Sequence, residues 1–487
     1  MITLKYCAFI GSITLSHGLI EIGEEAFYGC SNLKTVVIPE TVTKIGPDTF
    51  SMSGLKSIIL PDGRLTEIDN STFYGCRNLE NVVIPETVTK IGPYAFTWSG
   101  LKSIILPHGL IEIEKYTFSN CRNLETVVIP KTVTKIDRNA FAWSGLKSII
   151  LPHGLTEIGV GAFCGCSDLE TVVIPETVTK IDRCAFAGSG LKSIILPDGL
   201  TEIGEYAFND CQNLENIVIP NSVTKIGRYA FTRSGLKSII LPDGRLTEIR
   251  EHTFYRCSNL ESVVIPETVT KIGPEAFAWS RLKSITLLNG RLTEIGEEAF
   301  YMCRNLENIV IPETVTKIGP RAFALSGLKS ITLLDGRLTE IGEKAFYKCD
   351  NLETVAISKT VTKIDPYVFA YSGLKSITLP HGLTEIVKCT FYGCRNLETV
   401  VIPETVTKIG LDAFRYSGLK SIILPDGLTE IEEGAFNGCH NLESIVIPET
   451  VTKIGLVAFS LSGLKSITLP IGITEIGNGV YRYCRNF

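Results

Sequence analysis

Residues 33–61 read Leu33-Lys34-Thr35-Val36-Val37-Ile38-Pro39-Glu40-Thr41-Val42-Thr43-Lys44-Ile45-Gly46-Pro47-Asp48-Thr49-Phe50-Ser51-Met52-Ser53-Gly54-Leu55-Lys56-Ser57-Ile58-Ile59-Leu60-Pro61. The stretch holds two apolar runs of the same design. In the first, period-two alternation turns Val36 and Ile38 inward and Thr35 and Val37 outward. Pro39 then ends the strand, because it has no N–H to give to a parallel ladder. Leu55 to Pro61 repeats the pattern one step later. Between them, Gly46-Pro47-Asp48-Thr49-Phe50 reads as one short helical turn with proline at its first position. The phenylalanine that follows is expected to insert between steps and plug the core.

The phenylalanines set the period. Phe27, Phe73, Phe118, Phe163, Phe208, Phe254, Phe300, Phe346, Phe391 and Phe436 recur every 45 or 46 residues, and Phe50, Phe96, Phe141, Phe186, Phe231, Phe277, Phe323, Phe369, Phe414 and Phe459 lie between them. The structural step is therefore 22–24 residues, and two kinds of coil alternate. A typical A coil carries Thr-Glu-Ile before the phenylalanine and cysteine three residues after it; a typical B coil carries Thr-Lys-Ile and serine. Where the pair is 46 residues long, an arginine follows a turn glycine (Arg64, Arg245, Arg291, Arg337), and an insertion confined to one turn marks an exposed loop. A repeat of this length carrying Leu-x-x-Val-x-Ile specifies a solenoid of leucine-rich coils with a parallel sheet on one face and short helical turns and loops elsewhere. No coil buries its inner face alone, so stability is a sum over neighbours. About 20 complete coils at ~4.7–4.9 Å each form an arc on the order of 100 Å. The expectation is one elongated domain over 1–487, with a degenerate first coil at 1–18 and an incomplete last coil at 473–487.

Composition excludes several classes. Of 487 residues, 44% are hydrophobic and 20% charged, which is ample for a core and leaves no case for disorder. Forty-seven basic and 52 acidic side chains leave a net charge of −5, so there is no basic field for nucleic acid or an anionic membrane. Apolar runs of four or five residues are far below the ~18–20 that span a bilayer.

The pattern Leu-x-x-Ile-x-Ile-Pro-x-x-Val-x-x-Ile-Gly-x-x-Ala-Phe-x-x-Cys, repeated at about 23 residues over nearly the whole chain, resembles the BspA-like, or Treponema-type, class of leucine-rich repeats. The resemblance is specific for fold and much weaker for function. It implies a surface adhesin of bacteria or parasitic protists that binds host matrix proteins or other cells. The chain departs from such adhesins in its unusual regularity and in showing none of their secretion or anchoring segments.

Chemistry is sought first in the cysteines. Eleven of the fifteen (Cys30, Cys76, Cys121, Cys166, Cys211, Cys257, Cys303, Cys349, Cys394, Cys439, Cys484) share one slot of the A coil. Two coils of rise hold successive members ~9–10 Å apart, beyond the ~7 Å Cα limit for a disulfide and too far for one tetrahedral zinc. The expected arrangement is a buried, reduced thiol column. Cys7, Cys164, Cys184 and Cys389 fall outside it. His17, His108, His153 and His381 replace the aspartate of a Pro-Asp-Gly turn, which reads as a polar loop tip, and His252 and His440 are isolated in sequence. No Ser/His/Asp set, phosphate loop or metal spacing breaks the repeat symmetry, as an active site must. The reading is non-enzymatic, with no cofactor and no metal. Glu67, Lys90, Glu112, Lys135 and Glu157 form one row of alternating sign, and Glu80, Lys102, Glu125, Lys147 and Glu170 a second. Opposite charges on adjacent coils make a solvated ladder that disfavours a one-coil slip; Lys34 is the exception.

Two rows are candidates for contact with a partner. The outward strand position is β-branched and apolar at Val37, Ile59, Val83, Ile105, Val128, Ile150, Val173, Ile195, Val218 and Ile240, and is often threonine in B coils from Thr286 onward (Thr332, Thr378, Thr468). An exposed stripe of this length points to a protein partner, with β-propensity as the competing explanation. Two residues after the B-coil phenylalanine stand Met52, Trp98, Trp143, Gly188, Arg233, Trp279, Leu325, Tyr371, Tyr416 and Leu461. This second row is either a contact surface or a cover for the edge of the core. Ala8-Phe9 and Ser12 to Leu19 align with a shortened B coil, which explains the apolar start better than a signal peptide does. The C-terminus stops within an A coil, so either the chain is part of a longer one or its ends stack on other subunits. The leading expectation is a protein-interaction scaffold of surface or adhesion type. An intracellular scaffold and, with the Trp98, Trp143 and Tyr371 row stacking on sugars, a carbohydrate-binding solenoid are the alternatives.

Overall fold

The computed structural model describes residues 11–484, and the chain divides into two compact units, Met1–Arg245 and Leu246–Phe487. Cys7, Ala8-Phe9 and the terminal Arg485-Asn486-Phe487 lie outside the described residues. Each unit is a run of coils in which two strands per coil pair in parallel with those of adjacent coils, about twenty coils in all.

In the first unit the longer strands run from Ser12–Thr14 through Thr35–Val37, Ser57–Ile59, Asn81–Val83, Ser103–Ile105, Thr126–Val128, Thr171–Val173, Ser193–Ile195 and Asn216–Val218 to Ser238–Ile240. Pairing is residue for residue, as in Val127↔Ile104 and Val172↔Ile194. In both coils of such a pair the middle residue is buried and its neighbours exposed. A second ladder of two-residue strands, such as Glu112–Ile113, Lys135–Ile136 and Glu157–Ile158, forms another side of each coil and buries its isoleucine. The second unit repeats both ladders, with longer strands from Ser262–Ile265 to Ser466–Thr468 and short strands from Glu248–Ile249 to Glu475–Ile476.

The expected helical turn before each phenylalanine is not formed: the described residues contain no helix. In its place is a ribbon of successive turns whose N–H groups alternate in direction. Ala26, Tyr28 and Cys30 donate to the carbonyls three residues back, while Glu25, Phe27 and Gly29 donate to Pro47, Thr49 and Ser51 of the next coil at 2.8–3.0 Å. A helix would spend every N–H within its own coil and leave nothing to join neighbours. The ribbon needs left-handed backbone at two positions per coil, two residues before and two after the phenylalanine, as at Tyr94 (φ 60°) and Trp98 (φ 61°). That φ is incompatible with helix.

The phenylalanines form the core as expected, in continuous stacks. From Phe27 to Phe231 in the first unit, ring centroids of successive coils lie 5.2–5.7 Å apart with planes within 10°. The second unit stacks Phe254 to Phe459 in the same way and ends on Tyr481. Beside each stack runs the thiol column. The Cys121 thiol donates to the Phe96 carbonyl at 3.0 Å, and its sulfur lies 3.2 Å from Ser99 Oγ; Cys166 does the same with Phe141 and Ser144. With the thiol proton committed to the carbonyl, the serine hydroxyl is the donor to sulfur. Burial, partly offset by that serine, pushes the Cys121 and Cys166 thiols up to about 12, so they are inert at neutral pH.

Candidate functional site

The outer face of the longer-strand sheet carries three parallel rows. The charged row pairs each A-coil glutamate with the lysine of the following B coil: Glu80–Lys102 at 2.7 Å, Glu125–Lys147 at 2.9 Å and Glu170–Lys192 at 2.7 Å in the first unit, and Glu261–Lys283 at 2.9 Å in the second. The hydrogen bond and charge of Lys102 hold the Glu80 carboxyl below its ordinary range. A row of hydroxyls and amides follows, Asn81, Ser103, Thr126 and their equivalents, all exposed but for the half-buried Ser330. The third row is the apolar one. Val37, Ile59, Val83, Ile105, Val128, Ile150, Val173, Ile195, Val218 and Ile240 are each 57–87% exposed in the first unit. In the second unit the row is broken: Val264, Val310, Val401, Ile423 and Val446 are exposed apolar side chains, but Thr286, Thr332, Ala356 and Thr378 stand between them and Thr468 follows.

The tryptophan row lies on a different side of the coil, at the left-handed position after the phenylalanine. The Trp143 N–H donates to the Cys164 carbonyl of the next coil at 2.7 Å. Its ring lies over Gly165, where a Cβ would collide with it. Tyr371 covers Gly393 and Tyr416 covers Gly438 in the same way. Trp98 has the Arg77 and Arg122 guanidiniums 5.9 and 5.7 Å from its ring centroid, and Trp279 has Arg256 at 5.3 Å. Tyr347, Tyr371, Tyr392 and Tyr416 form an edge-to-face chain with centroids 5.8, 5.2 and 6.0 Å apart. Tyr392, outside the row that holds Tyr371 and Tyr416, joins the two.

The histidines do not converge. His108 Nδ1 lies 3.0 Å from Glu86 on the surface. His252, isolated in the sequence reading, sits 3.3 Å from Glu251 and 3.2 Å from Glu275 and packs edge-on against Tyr255. Among the described residues no cluster of three or more His, Cys, Asp or Glu side chains is placed to hold a metal ion, and no helix is long and apolar enough to cross a membrane.

One local feature escaped the sequence reading. A groove of about 600 Å³ opens on the outer sheet face of the second unit, lined by Thr354, Ala356, Lys359, Ser376, Thr378 and His381 among others. The signal was present: every other A coil has valine where Ala356 stands and proline where Ser358 stands, and all but one other lack a cation at the place of Lys359.

A family model described as BspA type leucine rich repeat region (6 copies) matches residues 3–97, 66–192, 179–292, 293–419 and 362–487. No curated protein matches the chain. Among solved structures, the chain is similar to a leucine rich cell surface protein from Faecalibacterium prausnitzii (27% identity, 66% of this chain and 87% of that one, TM-score 0.41). It is also similar to leucine-rich repeat proteins from Eubacterium ventriosum (24%, 77% and 86%, TM-score 0.32) and Bacteroides ovatus (21%, 98% and 85%, TM-score 0.27). The family match runs the length of both ladders and both phenylalanine stacks, and the chain belongs to the BspA-type leucine-rich repeat family.

Proposed function

We propose that the chain is a non-catalytic scaffold that holds a protein partner against the outer face of its longer-strand sheet, acting at a cell surface as an adhesion-type protein. The observation that carries this reading is the first unit's apolar row. Ten successive coils, Val37 to Ile240, expose a β-branched side chain by more than half. Contiguous apolar surface on that scale marks contact with another protein. The flanking hydroxyl and charge rows supply the polar rim such contacts have. The tryptophan row is the weaker candidate for carbohydrate stacking, because rings such as Trp143 already lie on the next coil.

The buried thiol column favours a second reading, an intracellular scaffold using the same face, since reduced cysteines suit a reducing compartment. Antibody labelling of intact against permeabilised cells of the source organism separates the two: signal on intact cells supports the surface role and signal only after permeabilisation rejects it. The interaction itself is tested by capture with wild type and with the triple variant Ile105→Asp, Ile150→Asp, Ile195→Asp. These side chains point to solvent, so the variant folds. Capture falling at least tenfold supports the reading; unchanged capture rejects the sheet face.

A further inference from the structure

In a chain whose coils are near copies, the A coil holding Thr354–Ala356 departs from the others at three positions within four residues. Ala356 replaces valine in the apolar row, with Thr332 and Thr378 on the flanking coils, so three short side chains follow one another between Val310 and Val401. Ser358 replaces proline, yet the turn is kept: Val361 N–H donates to the Ser358 carbonyl at 3.2 Å, as Val315 does to Pro312 at 3.1 Å. Lys359 stands where Glu313 and Glu404 stand in the neighbouring A coils. None of the three changes is demanded by the fold, and two of them, Ala356 and Lys359, line the groove.

The groove offers donors and no carboxylate. Its lining includes the hydroxyls of Thr354, Ser376, Thr378 and Thr399, the Lys359 ammonium and the His381 imidazole, over an apolar floor. Asp335, just outside, accepts from the Lys359 main-chain N–H at 3.0 Å and lies 4.0 Å from its ammonium. It anchors the lysine backbone while leaving the ammonium, on a largely exposed side chain, with donors to spare. Resting on the reading of the sheet face as a protein-binding surface, we infer that this groove takes an acidic side chain of an extended partner segment, a glutamate or aspartate seated between Lys359 and His381 over Ala356. A carboxylate is the group that an ammonium, an imidazole N–H and a row of hydroxyls satisfy together. A valine at 356 would fill the space.

The test uses the full chain and two fluorescein-labelled peptides read by polarisation, Thr-Glu-Val-Glu-Thr-Glu and its counterpart with lysine in place of each glutamate, with a heparin-derived hexasaccharide as competitor class. Lys359→Glu and Ala356→Val restore residues that other A coils carry, so both variants keep the fold. Lys131→Glu, the same charge reversal in the first unit beside Val128 and Pro130, is the control. The acidic peptide is expected to bind wild type and Lys131→Glu equally and to lose at least tenfold affinity with Lys359→Glu and with Ala356→Val. Equal binding to Lys359→Glu, equal binding of the lysine peptide, or Lys359-dependent binding of the sulfated sugar alone would each overturn the inference. None of these outcomes bears on the first unit's stripe, which the aspartate variants test separately.

Discussion

Raising the pH from 7 to 10 removes stability through the thiol column. In the first unit Cys76, Cys121, Cys166 and Cys211 are fully buried, and burial, only partly countered by the adjacent serines, pushes them from an ordinary 9.0 to about 11 for Cys76 and about 12 for the other three. A folded pKa raised above the unfolded one means that the unfolded chain releases protons first. Stability is therefore fully present below pH 9, falls as pH rises through the window from 9 to 12, and does not recover above it. At pH 10 each unfolded thiol gains about 1.4 kcal/mol by ionising, so the four together remove about 6 kcal/mol from a unit of ordinary stability. The comparison is with Cys76→Ser, Cys121→Ser, Cys166→Ser and Cys211→Ser combined, since serine already fills that slot in the B coils. Urea midpoints followed by circular dichroism at pH 7, 9 and 10 are expected to fall far more steeply for wild type than for the variant. Tyrosine and lysine titration is common to both chains and cancels. Parallel pH dependences for the two proteins would refute the buried, protonated column.

Phe141→Ala removes a ring stacked between Phe118 and Phe163 at 5.4 and 5.5 Å and is expected to cost about 3–5 kcal/mol in urea unfolding. Lys147→Glu breaks an exposed 2.9 Å pair with Glu125; the loss is no more than about 1 kcal/mol and disappears in high salt. Trp143→Gly relieves a left-handed backbone at φ 60° while uncovering Gly165, so unfolding free energy changes by less than about 2 kcal/mol, and partner capture is unchanged. Under a thiol-alkylating reagent, Cys164 and Cys184, both only partly buried, react in the native state, and mass spectrometry finds Cys121, Cys166 and Cys211 modified only after unfolding.

Much of this was legible in the sequence because repetition multiplies every signal. The alternation in Leu33 to Pro39 placed Val36 inside and Val37 outside, and the structure has them buried and exposed. Glu67 faces Lys90 and Glu112 faces Lys135 in register, as the charge rows required. The helical turn was misread because Pro47 after Gly46 imitates a helix start. The contrary signal lay in the flanking slots, where Gly29, Gly75, Gly161, Gly165, Asn120, Asn139 and Asp210 alternate with aromatics. Glycine, asparagine and aspartate are the residues that accept left-handed backbone, and two such slots per coil rule out helix. The groove was missed for a different reason. Ala356 and Lys359 are each ordinary residues, and they acquire meaning only when parallel stacking places them beside Thr378 and His381 of the next coil.

In the proposed function the first unit's stripe touches a partner and the tryptophan row does not. A photo-crosslinking amino acid placed singly at Ile150, at Trp143 and at Glu157 of the short-strand ladder, followed by irradiation with the captured partner, tests this most directly. Adducts from position 150, with none from 143 or 157, are the predicted result. Adducts from 143 or 157 in the absence of any from 150 would contradict it.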